Sequence, residues 1–139
     1  MSKEKNQFRK KMFLILLLFY LIVLAVLTFI SNDLQLKAAP CADVVSVSAA
    51  WFDGVYYDMV VPKKAVKSDE NGQFVFCMEE RNTPLGKRTI AHKRYISIKH
   101  EDLSSECFAI SGPVTLSDKI LLGDLPNEKT GFLVVLKRP

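Results

Sequence analysis

Residues 12–30 read MFLILLLFYLIVLAVLTFI, 19 consecutive positions with no charge, no glycine and no proline. A helix rises about 1.5 Å per residue, so this run is roughly 28 Å long, close to the hydrocarbon thickness of a bilayer. Backbone donors and acceptors in lipid must be bonded within their own segment, so a spanning run of this kind must be helical. One membrane helix over residues 12–30 is expected, behind a basic tail over residues 1–11.

The charge divides at the same place. Residues 1–30 hold Lys3, Lys5, Arg9, Lys10 and Lys11 against Glu4, while residues 31–139 hold 14 basic and 14 acidic side chains. The net charge of +4 therefore lies wholly before or within the apolar run. A basic flank of this kind is retained on the cytoplasmic side, which predicts an N-terminus in the cytoplasm and residues 31–139 outside it. Lysines beside the inner leaflet also attract anionic lipid. With residues 31–139 neutral, nothing in the charge favours nucleic acid as a partner.

A cleaved signal peptide is the competing reading. Its apolar region runs to about 7–15 residues, with small residues close behind at the cleavage site. Here the run is longer, and Ala38 and Ala39 lie eight or more positions beyond Ile30. Pro40 stands directly before Cys41, which is wrong for lipoprotein cleavage. An uncleaved anchor in the cytoplasmic membrane is the expectation.

Beyond the anchor, residues 31–54 lack a clear period and read as an extracytoplasmic stalk, with VVSVS a short strand within it. Residues 55–139 carry strand signals throughout. VYYDMVVP (55–62) is β-branched and aromatic, follows the turn pair Asp53-Gly54, and ends in Pro62, which suits a strand end or an edge. Residues 63–66 read as continued extended chain. SDENG (68–72) supplies a hairpin turn. In QFVFCMEE (73–80), Phe74, Phe76 and Met78 share one face and Val75 and Cys77 the other, so both faces are apolar and the strand is central.

RNTPLGK (81–87) reads as a loop. RTIAHKRYISIKH (88–100) alternates without a clean apolar face, as a long strand with a bulge or a change of face would. ECFAIS (106–111), KILLG (119–123) and FLVVLK (132–137) are three further short strands, and residues 116–118 read as a turn or a single helical turn. The fold class expected is mainly β: a small antiparallel barrel or sandwich preceded by one N-terminal transmembrane helix.

Chemistry-bearing residues are sparse. His92 and His100 lie eight apart on or beside one strand, roughly 26 Å if it is straight, too far to share a metal. Cys107 near His100 imitates a nucleophile pair or two zinc ligands, but a third partner at suitable spacing is missing. The acidic pairs Asp69-Glu70, Glu79-Glu80 and Glu101-Asp102 fall at turns and strand ends, where charge meets water. The glycines are scattered turn residues and form no phosphate loop. No enzyme activity, metal or cofactor is expected. Of the three cysteines, Cys41, Cys77 and Cys107, the last two read as small core hydrophobes, and free buried thiols are favoured over a disulfide scaffold. Two basic clusters remain: Lys63, Lys64 and Lys67, then Lys87, Arg88, Lys93 and Arg94. They suit lipid headgroups, an acidic partner surface, or protection of a sheet edge.

The stretches VVPKKAV, DENGQFVF, ERNTPLGKR and TIAHKRYISI, with AISGPVTLSDKILLG and GFLVVLK, resemble the C-terminal, membrane-proximal region of HlyD/RND-type periplasmic adaptor subunits, also called membrane fusion proteins. The resemblance covers residues 55–137 and contains no catalytic signature. It implies a β domain held next to an export or efflux transporter, with Lys87, Arg88, Lys93 and Arg94 as partner contacts and self-association as a further possibility. A full adaptor also carries a lipoyl-like domain and an α-helical hairpin between anchor and β domain. Only about 25 residues fill that interval here, so the resemblance is to a truncated form. Two rivals stay open: a stand-alone anchored interaction or regulatory domain, and a metal protein or enzyme built on His92, His100 and Cys107.

Overall fold

The computed structural model describes residues 2–137. The chain divides into two compact units, one ending at Ala38 and one beginning at Ala39. The first is a single helix, α1 (Ser2–Ala38). It outruns the apolar stretch at both ends because no glycine or proline interrupts it until Pro40. Glu4 in the first turn and Lys37 in the last complement the helix dipole, and Lys37 pairs with Asp33 one turn earlier at 2.8 Å. The helix is long and apolar enough to cross a membrane.

The second unit consists, among the described residues, of ten strands: β1 (Cys41–Ser46), β2 (Ser48–Phe52), β3 (Val55–Pro62), β4 (Lys67–Asp69), β5 (Gly72–Thr83), β6 (Gly86–Tyr95), β7 (Ser97–Asp102), β8 (Cys107–Ser111), β9 (Lys119–Leu122) and β10 (Phe132–Leu136). Strands β5, β6, β10, β1 and β9 are neighbours in that order, and β9 returns to β5 through Cys77 and Ile120. This closes a five-stranded barrel, with β4 added to the start of β5. The pairings are antiparallel except that of β1 with β10. A four-stranded sheet, β2-β3-β8-β7, completes the unit.

The alternation in β5 sorts the core into two layers. Phe74 and Phe76 point into the barrel with Ala42, Ala91, Leu121, Leu125 and Val134. Val75 and Cys77 point outward and pack, with Ile120, against Val61, Phe108 and Ile110 of the smaller sheet. Both faces of β5 are thus buried, as the sequence predicts. The barrel-and-helix class is likewise the one expected.

Several boundaries differ from the sequence reading. Residues 31–54, expected as a stalk, supply the last turns of α1 and then β1 and β2, so the β unit begins at Ala39 rather than Val55. Ala42 of β1 is fully buried in the barrel, which gives this segment a place in the core. Residues 63–65 form a 3-10 turn instead of extended chain, because Ala65 turns inward against the second core layer. The loop over 81–87 shrinks to a two-residue hairpin turn, Pro84-Leu85. The irregular strand over 88–100 changes sheets at Ile96, as β6 gives way to β7.

Candidate functional site

The β unit carries an open cleft of about 520 Å³ lined by Asp69, Asn71, Lys93, Tyr95, Asn127, Thr130 and their neighbours. Its floor is the end of the barrel core. On β6, Ala91, Lys93 and Tyr95 share a parity and face Met78, Phe76 and Phe74 across the ladder. Lys93 therefore points along the inner face, and its side chain is only 9% exposed. Its ammonium lies 4.1 Å from the centre of the Phe74 ring, a cation–π contact.

The polar atoms of the cleft bond mainly to one another. Lys93 Nζ donates to Asp69 Oδ2 at 2.6 Å and to the Asn127 carbonyl. The Tyr95 hydroxyl donates to the same Asp69 oxygen at 2.9 Å, and the Asn71 N–H donates to Asp69 Oδ1 at 2.9 Å. The Thr130 hydroxyl accepts from the Lys93 backbone N–H at 3.0 Å. The bond from Lys93 holds the Asp69 carboxyl below its ordinary range, helped by Asn71 and Tyr95. The same bond raises the Lys93 ammonium above its usual value. A nucleophilic or Schiff-base lysine needs the opposite shift. A general base also needs a carboxylate poised near neutrality, and Asp69 moves away from it. This arrangement locks the β4–β5 turn and the loop before β10 onto the barrel end.

Arg94, next along β6, points to the other layer. Its guanidinium donates to the Pro113 carbonyl at 3.0 Å and to Asp118 Oδ2 at 2.9 Å. Asp118 also accepts from the Thr115 N–H at 2.7 Å and from its hydroxyl. Burial by itself would raise the Asp118 carboxyl, but these Thr115 and Arg94 bonds together bring it below its ordinary value. Beneath them, burial pushes the Cys77 thiol up to about 11.

The four cations grouped in sequence are thus distributed by the fold. Lys93 and Arg94 bind the protein's own carboxylates on opposite faces of β6. Lys87 and Arg88 lie toward the tip of the β5–β6 hairpin. The partners that fix Lys93 are ones to which sequence reasoning assigns no such role: Asp69 reads as a solvated turn carboxylate and Tyr95 as one more strand residue. The signal was the parity shared by Ala91, Lys93 and Tyr95.

The histidines are also separated. His92 Nε2 lies 2.8 Å from Glu79 Oε2 on the neighbouring strand. His100 lies 3.4 Å from Asp53 and stacks on Tyr57 and Phe52, with ring centres 5.5 and 6.0 Å away. The Cys107 thiol donates to the Ser105 carbonyl at 3.3 Å. Among the described residues, no three His, Cys, Asp or Glu side chains converge in a way that would hold a metal ion. All three cysteines are free: Cys41 is exposed, Cys77 buried and Cys107 half-buried.

Comparison with protein-family models, with curated proteins and with solved structures gives no match to this chain.

Proposed function

We propose that this chain is a non-enzymatic, membrane-anchored adaptor-like protein. In this reading α1 crosses the cytoplasmic membrane with its basic end inside, and the β unit docks outside with an export or efflux transporter. The observation that carries the anchored-module reading is the join: two residues, Ala39 and Pro40, link a helix long and apolar enough to span a bilayer to a closed, solid-cored barrel. The polar groups lining the cleft at the barrel end, Asp69, Lys93 and Tyr95, bond to one another, which suits a rigid docking body. The transporter itself rests on the resemblance of residues 55–137 to adaptor membrane-proximal regions.

The test is affinity purification of the tagged full-length protein from its native membrane in mild detergent, with mass spectrometry of what accompanies it. The reading expects a membrane transport protein in reproducible, near-stoichiometric yield. A folded protein recovered alone would overturn the transporter part.

The same join favours a second reading. A two-residue connection has no room for the lipoyl-like and helical-hairpin domains of a full adaptor. A stand-alone anchored interaction domain needs neither.

A further inference from the structure

Strand β2 ends the four-stranded sheet and is paired with β3 alone. Among the described residues, no further backbone bond reaches its outer side. Edge strands are ordinarily guarded by charge, by proline or by being very short. The opposite edge of this sheet, β7, carries Lys99, His100, Glu101 and Asp102, and β4, at the end of the other sheet, is three residues long. β2 reads SAAWF, with no charge and no proline, and its Ser48, Ala49 and Trp51 are exposed. Its outward N–H and C=O groups are open to the backbone of one more strand.

The β2–β3 hairpin also holds an exposed aromatic pair. Trp51 stands opposite Tyr56 on the ladder, with ring centres 5.3 Å apart. Trp51 is 69% exposed and Tyr56 51%, and neither belongs to a core layer. Their neighbours Phe52 and Tyr57 do pack, against Val60 and Ala109. The fold thus leaves out the residue types that most often carry binding energy at an interface.

Charge narrows the partner. Residues 44–62 hold two charged side chains, Asp53 in the hairpin turn and Asp58 on β3, and no lysine or arginine. The two carboxylates flank the aromatic pair along the ladder. Among the described residues Asp58 has no ion-pair partner, and Asp53 has only His100, at 3.4 Å. An aromatic face bordered by carboxylates suits a lysine or arginine side chain, through cation–π attraction and charge pairing together. A second copy of the same hairpin would set acid against acid.

We infer that the β2–β3 hairpin is a docking edge for an extended, Lys- or Arg-bearing segment of a partner protein. That segment adds a strand to β2 and lays its cationic side chains over Trp51, toward Asp53 and Asp58. This rests on the β unit being a docking module and not on the partner being a transporter.

The experiment places a photo-crosslinking phenylalanine analogue at the exposed position 49 of the full-length protein and irradiates native membranes. One protein adduct is expected, mapping to a Lys- or Arg-bearing segment. Its yield should fall about tenfold in Trp51→Ala, the loss expected from about 1.4 kcal/mol. Asp53→Asn/Asp58→Asn should show a similar loss, and Asp58→Glu should keep the yield. Asparagine tolerates the positive φ of Asp53, so the turn keeps its shape. Should the double variant fail to fold, wild type at about 1 M salt, where screening falls to roughly 3 Å, should show the loss instead. Adducts on lipid or on a second copy of this chain, no adduct, or a protein adduct that survives either Trp51→Ala or the loss of charge would overturn the inference. A basic partner segment in a protein that is not a transporter would sustain it while sinking the transporter reading. A co-purifying transporter with no adduct at position 49 would do the reverse.

Discussion

Lys93 holds its ammonium 4.1 Å from the centre of the Phe74 ring, at the end of the barrel core. A lysine there closes the core and ties two loops to it, because the same nitrogen reaches Asp69 and the Asn127 carbonyl. In sequence it is one cation of a KR pair; in the fold it is half-buried at the end of the barrel core.

The Lys93–Asp69 pair has a defined pH window. Asp69 titrates below its ordinary 3.8, so its contribution is complete above that value and is lost as pH falls through the folded-state pKa. Lys93 titrates above its ordinary 10.5, so its contribution is complete below that value and is lost as pH rises through its own folded-state pKa. At neutral pH both are present. Asp69→Asn should be less stable than wild type at pH 7, and the gap should close below pH 3.8. Melting of full-length protein in mild detergent from about pH 2.5 to 7 measures this. A gap unchanged by acid would contradict it.

Phe76 is fully buried, with its ring edge-on to Phe74 and to Phe132, the centres 5.3 Å away in each case. Phe76→Ala should cost about 3–5 kcal/mol, from lost transfer energy plus the cavity left behind. Small domains have about 5–15 kcal/mol in all. The variant should therefore be marginal in urea denaturation. A loss under about 1 kcal/mol would mean that the barrel core is not packed as described.

Gly123 follows β9 with φ +148°, and a Cβ there would stand 2.9 Å from the Cys41 carbonyl oxygen. That neighbour is backbone at the start of β1, so it has little freedom to move. Gly123→Ala should destabilise by about 1–3 kcal/mol. A Cβ at Gly54 would meet no atom within 4 Å, though the φ of +80° there still strains a side chain. Gly54→Asn, which tolerates that conformation, should be nearly neutral. Equal effects at the two sites would contradict the close approach of β9 to β1.

Cys77 should resist thiol reagents in the folded protein, since its thiol is buried and pushed up to about 11. At about pH 8 only about one part in a thousand is thiolate, which is the reactive form. Labelling followed by mass spectrometry should find Cys77 modified only on unfolding. Prompt modification under native conditions would show that the two sheets do not pack as described.

The sequence was most legible where apolar residues alternate. β3, β5, β8, β9 and β10 lie where VYYDMVVP, QFVFCMEE, CFAIS, KILL and FLVVL place them. It was least legible where long-range pairing decides. β1 has only Ala42 buried, and it is a strand because β9 and β10, 73 to 94 residues later, bond to it on both sides. VVSVS marks a short strand there, but nothing local shows that it belongs to the barrel and not to a stalk. The ends of α1 were hidden because the polar residues flanking the apolar run also form good helix, and Pro40 is the first residue to stop it. At the cleft, Lys93 was visible as a cation, but its inward parity was outweighed by its charge.

The proposed tethering of the β unit outside the cytoplasm by α1 can be read directly at Cys41, exposed three residues after the helix ends. Spheroplasts treated with a membrane-impermeant maleimide, then lysed and analysed by mass spectrometry, give the answer. The account predicts that Cys41 is modified from outside in unbroken cells, and that the protein stays in the membrane fraction after alkaline extraction. Modification only after lysis, or release of the protein by alkali, would contradict it.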